Sequence, residues 1–295
     1  MPSALAHPGI VVGVDGSSNS DVAIGWAARD AAMRNVALTV VHVAPALSVN
    51  WSLTPVPADL ATWQVSQGRQ ILADAVTIAE AATGGDGRLQ IDTELFVAVT
   101  VPTLVDLTKE AEMIVVGSRG IDAFGCSLMG SVSSGLVSHA HCPVVVIHHD
   151  DPLTPQPATL PVLVGVDGSP TAERATAIAF DEASRRGVDL VALHAWSDRG
   201  GYSVPGLNRS ILKQEETEFL AERLAGLQER YPDVSVRRVV VCGKPARHLV
   251  EESVNAQLVV VGSHGRGGFA GMLLGSVTSA VLQSARTPVI VARQP

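Results

Sequence analysis

The sequence predicts an α/β protein made of two tandem copies of one fold, and three observations support this prediction. The chain has 295 residues, which suits two domains of about 150 residues each. A set of sequence blocks occurs twice in the same order. Within each copy, short valine-rich runs alternate with longer amphipathic stretches, as expected for the strands and helices of a doubly wound parallel sheet.

The repeat consists of four blocks that keep their order and nearly keep their spacing. The first two blocks return after 152 residues and the last two after 145 residues. Asp, His, Gly-Ser and Pro recur in register with the apolar runs, so a chance recurrence of valine-rich strands does not explain the pattern. The blocks lie at residues 11–17, 38–43, 111–118 and 143–146, and again at 163–169, 190–195, 256–263 and 288–291.

The elements follow from the spacing of apolar residues. Short β-branched runs favour strands that are buried on both faces of a sheet. In the first copy these runs are Ile10 to Val14, Leu38 to Val43, Met113 to Val116 and Val144 to Ile147. Alanine-rich segments with a period of about 3.6 residues predict amphipathic helices at Ser20 to Met33 and Trp63 to Ala82. This alternation of strand and helix predicts right-handed crossovers.

The boundary between the copies is predicted where the repeat restarts. Residues 149–161 read HDDPLTPQPATLP and contain four prolines and two adjacent carboxylates. Such a segment is stiff and polar and suits a linker between domains. We therefore place the boundary near Gln156, which gives domains of residues 1–155 and 156–295.

Composition and charge exclude several classes of protein. The formal net charge is −8, which disfavours general attraction to nucleic acid or to anionic lipid. Three scattered cysteines do not form a disulfide framework, and the sequence predicts a reduced, cytoplasmic protein. Neither a signal peptide nor an apolar run of 18 residues is found, so no membrane association is expected.

A glycine pattern that follows the fourth strand of each copy suggests an anion site. The pattern is G-x2-G-x9-G-S, and an apolar stretch follows it. Glycines let backbone N–H groups converge on an oxyanion, and a Gly-Ser pair at a helix start adds free N–H groups and the positive end of the helix dipole. The pattern comprises Gly117, Gly120, Gly130, Ser131 and Val132 in the first copy, and Gly262, Gly265, Gly275, Ser276 and Val277 in the second.

An aspartate closes the first strand of each copy. Asp15 and Asp167 would lie at the carboxyl edge of the sheet, where doubly wound folds bind their ligands. A carboxylate there could accept hydrogen bonds from ribose hydroxyls or from a base. The same Asp-Gly-Ser sequence could instead cap the following helix, and the two roles are compatible.

Taken together, these features resemble the universal stress protein family in its tandem-domain, ATP-binding form. The first-strand Asp, the His at the end of the second strand, the glycine pattern and the final PVxVV-like strand carry the resemblance, which extends from Gly9 to about Ala292. It implies a five-stranded sheet of order 3-2-1-4-5 in each copy, and a site for ATP with magnesium. The implied binding residues are those of the glycine pattern together with Asp15, Val43, Asp167 and Ala195.

The resemblance also implies a regulatory role and an association of domains. The two copies are expected to pair as a pseudo-dimer through their last strands, Val144 to Ile147 and Val289 to Ala292, because edge strands rich in valine are rarely left bare. Whole chains are expected to form homodimers, and a protein partner is expected but cannot be named. The implied function is an ATP-binding regulator of the stress response or of growth arrest.

The two glycine loops differ in charge. The second loop reads GSHGRGGFAGMLLGS, and its Arg266 is available to a phosphate. The first loop reads GSRGIDAFGCSLMGS, and its Asp122 adds a carboxylate beside the phosphates. The first copy also has Val99-Thr100-Val101-Pro102 where the second has Gly243-Lys244-Pro245. The second site is therefore expected to bind more tightly.

Other candidate chemistry is weaker. His42 and His194 end buried strands and are expected to form structural hydrogen bonds. A His and Cys cluster in the first copy suits zinc, but the second copy lacks it, so no metal site is predicted. The cluster comprises His139, His141, Cys142, His148 and His149.

Three functions therefore remain open, in different classes. No hydrolase or kinase motif occurs, which favours a nucleotide binder over an enzyme. A slow ATPase, in which Asp15 or Asp167 helps to hold a metal ion and water, is the alternative from the enzyme class. A scaffold that no longer binds nucleotide is the third.

Overall fold

The computed structural model describes most of the chain as two compact units. Described residues up to 148 form the first unit, and those from 159 to 293 form the second. The predicted boundary near Gln156 lies outside the described residues. These residues are 9–45, 58–85, 87–120, 129–148, 159–196, 209–267 and 273–293.

Each unit alternates strands and helices as the sequence predicts. The first unit contains β1 (Gly9–Val14), α1 (Ser18–Arg34), β2 (Ala37–Pro45), α2 (Ala58–Ala82), β3 (Ile91–Ala98), α3 (Thr100–Leu107), β4 (Met113–Gly117), α4 (Ser131–His139) and β5 (Val144–Ile147). The second contains β6 (Val162–Gly165), α5 (Pro170–Arg186), β7 (Leu190–Trp196), α6 (Arg209–Arg230), β8 (Val236–Cys242), α7 (Pro245–Ser253), β9 (Leu258–Gly262), α8 (Ser276–Ser284) and β10 (Val289–Ala292).

The strands of each unit are parallel and share one order. In the first unit β1 pairs with β2 and β4, while β3 and β5 extend the sheet outwards, which gives β3-β2-β1-β4-β5. In the second unit the corresponding order is β8-β7-β6-β9-β10. The expected α/β fold with strand order 3-2-1-4-5 is thus confirmed. The chain reverses its direction of winding between β1 and β4, where the carboxyl ends of two strands meet.

Burial explains which strands have continuous apolar runs. Nearly every residue of β1, β4 and β5 is buried, as expected for strands that are covered on both faces. By contrast, β3 reads IDTELFVA and exposes Asp92 and Thr93. Strands such as β3 therefore lack the uninterrupted apolar run that identifies the central ones.

The first helix of each unit begins and ends with matched capping residues. Ser17 is the N-cap of α1 and accepts a hydrogen bond from Ser20 N, and Ser169 caps α5 in the same way through Ala172 N. The two helices end at Asn35 and Gly187, which adopt left-handed backbone conformations. These caps fix both ends of the helix that follows the first strand.

Candidate functional site

A cavity of about 610 Å³ opens at the carboxyl ends of β1, β2 and β4 in the first unit. This is the position at which doubly wound sheets bind their ligands. All seven residues that the sequence singled out in the first copy line this cavity. They are Asp15, Val43, Gly117, Gly120, Gly130, Ser131 and Val132.

One side of the cavity is apolar. It is formed by the end of β2, by Ile71 of α2 and by the start of α3, including Val101 and Leu104. Gly13 lies beside Val116 and Leu104, since a Cβ atom on this glycine would lie 3.2 Å from Val116 Cγ1 and 3.5 Å from Leu104 Cδ1. An apolar wall of this kind suits a planar base rather than a phosphate chain.

The turn after β1 holds Asp15 against the glycine loop. Asp15 Oδ1 accepts a hydrogen bond from Ser17 N at 3.0 Å, and Gly16 supports this turn with a φ of 80°. A Cβ atom on Gly120 would collide with Asp15 Oδ2. The helix cap is Ser17, so the alternative in which Asp15 itself caps α1 is wrong. Glycine is therefore needed at position 120 because the loop approaches the Asp15 carboxylate closely, and not because of its backbone conformation, since its φ is not positive.

Backbone hydrogen bonds bring the two halves of the glycine pattern together. Ser118 N donates to Ile147 O at 2.7 Å, and Gly130 N donates to Ser118 O at 2.7 Å. The buried Ser133 hydroxyl also donates to Ser118 O, at 3.1 Å. Gly130 is the N-cap of α4 and provides no side-chain cap, whereas Ser17 caps α1. The first N–H groups of α4 therefore face the cavity region without a side-chain acceptor.

Part of the first loop lies outside the described residues. Residues 121–128, which include Ile121 and Asp122, belong to it. The expected effect of Asp122 on phosphate binding therefore stays a prediction.

The second unit repeats the same framework. Ser263 N donates to Ala292 O at 2.9 Å, and Gly275 N donates to Ser263 O at 2.8 Å. Gly275 is the N-cap of α8 and again provides no side-chain cap. The other predicted residues of this copy lie on the corresponding elements: Ala195 on β7, Gly262 at the end of β9, and Ser276 and Val277 in the first turn of α8.

Asp167 has the position in the second unit that Asp15 has in the first. Its Oδ1 accepts from Ser169 N at 2.9 Å, and its Oδ2 accepts from Arg266 N at 3.1 Å. A Cβ atom on Gly265 would lie 2.6 Å from Asp167 Oδ2. As in the first unit, the helix cap is the serine, Ser169, and the aspartate connects the first strand to the glycine loop.

The cationic side chains differ between the two loops. The Arg266 guanidinium lies over the Phe219 ring, 4.6 Å from its centroid, and close to Gly168. In the first unit Arg119 lines the cavity, while His264 has the matching place in the second loop. The sequence argument considered Arg266 and overlooked Arg119, although Arg119 lies inside the G-x2-G segment itself.

The strand-end histidines form the expected hydrogen bonds. His42 Nδ1 lies 2.8 Å from Val14 O, and His194 Nδ1 lies 2.7 Å from Val166 O. In the second unit the other ring nitrogen also has a partner, since His194 Nε2 lies 2.8 Å from Glu216 Oε2. Gly68 lies beside His42 where Glu216 lies beside His194. Each histidine thus ties its second strand to the end of the first strand.

Asp21 lies close to two other carboxylates, those of the cavity residue Asp15 and of Asp74. Burial raises the pKa of Asp21, and the nearby carboxylates of Asp15 and Asp74 raise it further. Among the described residues, no group of three or more His, Cys, Asp and Glu side chains is arranged to hold a metal ion. Within the same part of the chain, no helix is both long and apolar enough to cross a membrane.

Two apolar residues beside the glycines that follow the first strands had no clear signature in the sequence. Ile71 contacts Gly16 from α2, and Phe219 contacts Gly168 from α6. Both are apolar residues on amphipathic helices, and nothing in the local pattern distinguishes them from core residues. Leu104 could have been found, since the repeat places Leu249 beside Gly165 as Leu104 lies beside Gly13.

Comparison with known proteins places the chain in a family. The model of the universal stress protein family matches residues 9–148 and 159–293. Two universal stress proteins of Mycobacterium tuberculosis match the whole of this chain, each over 294 residues. Rv2005c is 60% identical, and the match covers 100% of it. Rv2623 is 53% identical, and the match covers 99% of it. A universal stress protein structure from Archaeoglobus fulgidus shares the fold, with a TM-score of 0.70, 22% identity and coverage of 99% of this chain and 100% of that one. The chain belongs to the universal stress protein family and carries two domains of that family in tandem.

Proposed function

We propose that each copy binds ATP and that the chain is a nucleotide-dependent regulator in stress or growth arrest. One observation carries the proposal: the first cavity joins an apolar wall to a glycine loop and an uncapped helix start. These two surfaces match the two halves of a nucleotide. The proposed binding residues are those that the sequence singled out in both copies.

The phosphates of the nucleotide would lie at the start of α4. The N–H groups of the first turn are free of side-chain acceptors, and the helix dipole favours negative charge at this end. The base would then contact the apolar wall near Val43 and Val101. Asp15 lies between these regions, where it can accept hydrogen bonds from a ribose.

The residues present also fit a magnesium ion that arrives with the phosphates. Magnesium usually keeps several waters and takes one or two carboxylates together with substrate phosphates. Asp15 supplies such a carboxylate at the cavity. Bound magnesium would neutralise part of the phosphate charge beside this carboxylate.

The groups around the first cavity support binding rather than hydrolysis. The carboxylate of Asp15 accepts a hydrogen bond from Ser17 N, and the His42 ring is held by Val14 O. Among the described residues that line this cavity, only Asp15 and His42 could take a proton from water, and His42 already has a structural role between two strands. This arrangement favours a binder whose nucleotide state is read by another molecule.

Nucleotide released from the purified protein and calorimetric titration would test the proposal together. We expect ATP to be released and to bind in the presence of magnesium. ADP as the released product would instead favour a slow ATPase. If neither copy bound ATP, the chain would have to act as a scaffold without nucleotide.

Two double variants that differ only in charge test whether the phosphates bind at the starts of α4 and α8. Ser131→Asp with Ser276→Asp places a carboxylate at the first position of α4 and α8, where it favours the helix but repels phosphate. The corresponding Asn variants have nearly the same size without the charge. We expect the Asp pair to abolish ATP binding and the Asn pair to weaken it far less. Equal losses in both pairs would place the phosphates elsewhere.

A further inference from the structure

Arg119 lies in the glycine loop of the first unit, where contacts on both sides of it in sequence hold the backbone in place. Its carbonyl oxygen accepts a hydrogen bond from the buried Asn19 side chain at 3.0 Å. The preceding residue, Ser118, is bound to β5 and to Gly130, and the following residue, Gly120, lies against Asp15. The Cα atom of Arg119 therefore has a defined position at the cavity.

This position is close to the start of α4. A Cβ atom on Gly130, the N-cap residue, would lie 3.5 Å from Arg119 Cα. Arginine has a long side chain and a planar guanidinium that donates to two phosphate oxygens at once. From this distance it can reach an anion at the first N–H groups of α4.

The guanidinium has no competing partner in the described part of the chain, which excludes residues 121–128. Arg119 is exposed, and only its backbone carbonyl enters a hydrogen bond there. Elsewhere in the protein, arginines such as Arg186 and Arg223 are held by carboxylates. Arg119 combines an exposed cation with a lining position at the cavity.

The second unit keeps the backbone of this loop but changes the cation. His264 replaces Arg119, and its Nδ1 lies 3.1 Å from Ser263 Oγ. A Cβ atom on Gly275 would lie 3.2 Å from His264 Cα, so the spacing to the helix start is conserved between the copies. The arginine of this loop, Arg266, lies over Phe219 and would have to leave that ring to meet a phosphate.

We propose that Arg119 contacts the phosphates in the first site and sets its preference for nucleotides with more phosphates. This inference rests on the proposed ATP binding. It opposes the expectation from the sequence that the second site is the tighter one, because Arg119 lines the first cavity, whereas Arg266 lies over Phe219 in the described part of the second loop. Arg119 and Asp15 line the same cavity.

Calorimetric titration of the full-length Ser276→Asp variant with ATP, ADP and adenosine would test this proposal, since that change is expected to abolish binding at the second site. Arg119→Gln should lower the affinity for ATP by about tenfold, which is the loss expected for one charge-assisted hydrogen bond. The affinity for ADP should fall by less, and that for adenosine by less than about twofold. Arg119→Lys should keep part of the preference. Lys109→Gln is the matched control, because Lys109 is exposed and pairs with Asp106.

The possible outcomes separate the two proposals. If ATP binds and Arg119→Gln changes ATP and adenosine affinities equally, or changes neither, Arg119 does not contact phosphate and the inference fails alone. If Lys109→Gln weakens ATP as much as Arg119→Gln does, the effect is one of net charge and the inference also fails. If ATP binds neither this background nor the wild-type chain, the proposed function fails together with the inference.

Discussion

Individual glycines of the repeated loop serve different purposes. Gly168 has a φ of 74°, which side chains rarely adopt, and it allows the turn that brings Asp167 back to the loop. Gly265 has an ordinary φ but leaves room for the Asp167 carboxylate. Gly267, two residues later, has open space where a Cβ atom would lie. The same residue type is therefore essential at some of these positions and replaceable at others.

Gly265→Ala tests the close approach of Asp167. The added Cβ atom would lie 2.6 Å from Asp167 Oδ2, so the carboxylate or the loop must shift. We expect ATP binding at the second site to weaken by about 1–3 kcal/mol, and the free energy of unfolding to change by less. Calorimetry and urea unfolding measure the two effects. Gly267→Ala is the control and should resemble the wild type; similar losses in both variants would contradict the steric argument.

Asp21→Asn tests the accumulation of negative charge beside the first cavity. Burial and the carboxylates of Asp15 and Asp74 raise the pKa of Asp21 above its ordinary value. A raised carboxyl pKa means that the folded state binds the proton more tightly, so ionisation costs stability as the pH rises through the raised value.

The expected result is a pH-dependent difference between variant and wild type. Urea unfolding at a series of pH values should show the variant gaining stability relative to the wild type as the pH rises from below the ordinary Asp pKa to neutrality. The gain should stay below about 1 kcal/mol, because Asp21 is only partly buried. A difference that is constant over the whole range would mean that the charge of Asp21 is not the cause.

At the scale of elements, the last turns of α1 and α5 contain a repeated ion pair. Asp30 and Arg34 lie 2.7 Å apart, and Glu182 and Arg186 lie 2.9 Å apart, both with four-residue spacing. The two carboxylates are almost fully buried, at 1% and 0% exposed. A buried carboxylate without a cation is costly, so each arginine is required once its partner is present.

Arg186→Met tests this requirement, since methionine retains much of the apolar stem of the arginine. The change removes the Arg186 ion pair from the buried Glu182 carboxylate, and the free energy of unfolding should fall by about 3–5 kcal/mol. Arg185→Met is the matched control on the same helix turn, because Arg185 pairs with the partly exposed Asp181 at 2.8 Å. Its cost should be about 0–1 kcal/mol. Equal costs in denaturant unfolding would contradict the role of burial.

The sequence predicted the elements well where burial is symmetric. The strands β1, β4 and β5 are valine-rich and almost wholly buried, and their limits match the predicted runs closely. It did not locate β3, whose exposed positions carry polar residues. All the site residues predicted in the first copy line one cavity, yet Ile71 enters it from a helix, and such a tertiary contact leaves no local pattern in the sequence.

At the scale of the whole molecule, the repeat gives two similar frameworks with different side chains. The chain carries a formal charge of −8, so an anionic nucleotide must rely on local positive groups rather than on the overall field. Those local groups are uncapped helix starts in both copies, with Arg119 in one loop and Arg266 in the other. The predicted pairing of the two copies and of whole chains stays a prediction from the sequence.

The last prediction concerns the number of ATP molecules that one chain should bind if the proposed function is correct. Every residue that lines the first cavity belongs to the first unit, and the matching residues of the second copy belong to the second, so the two sites should lose binding independently. Ser131→Asp should remove the ATP of the first copy only, and Ser276→Asp that of the second only, because each carboxylate repels the phosphates at one helix start. Calorimetric stoichiometry should therefore fall by half in either single variant.

The affinity that remains in each single variant identifies the site that survives. With Ser276→Asp the surviving site contains Arg119, and its affinity should depend strongly on the number of phosphates. With Ser131→Asp the surviving site contains His264. Arg266 would have to leave the Phe219 ring to contact a phosphate, so each added phosphate should raise the affinity of this site by less. Loss of all binding in one single variant would show that the sites are coupled. A steeper dependence on phosphate number in the second site would restore the ranking that the sequence predicts.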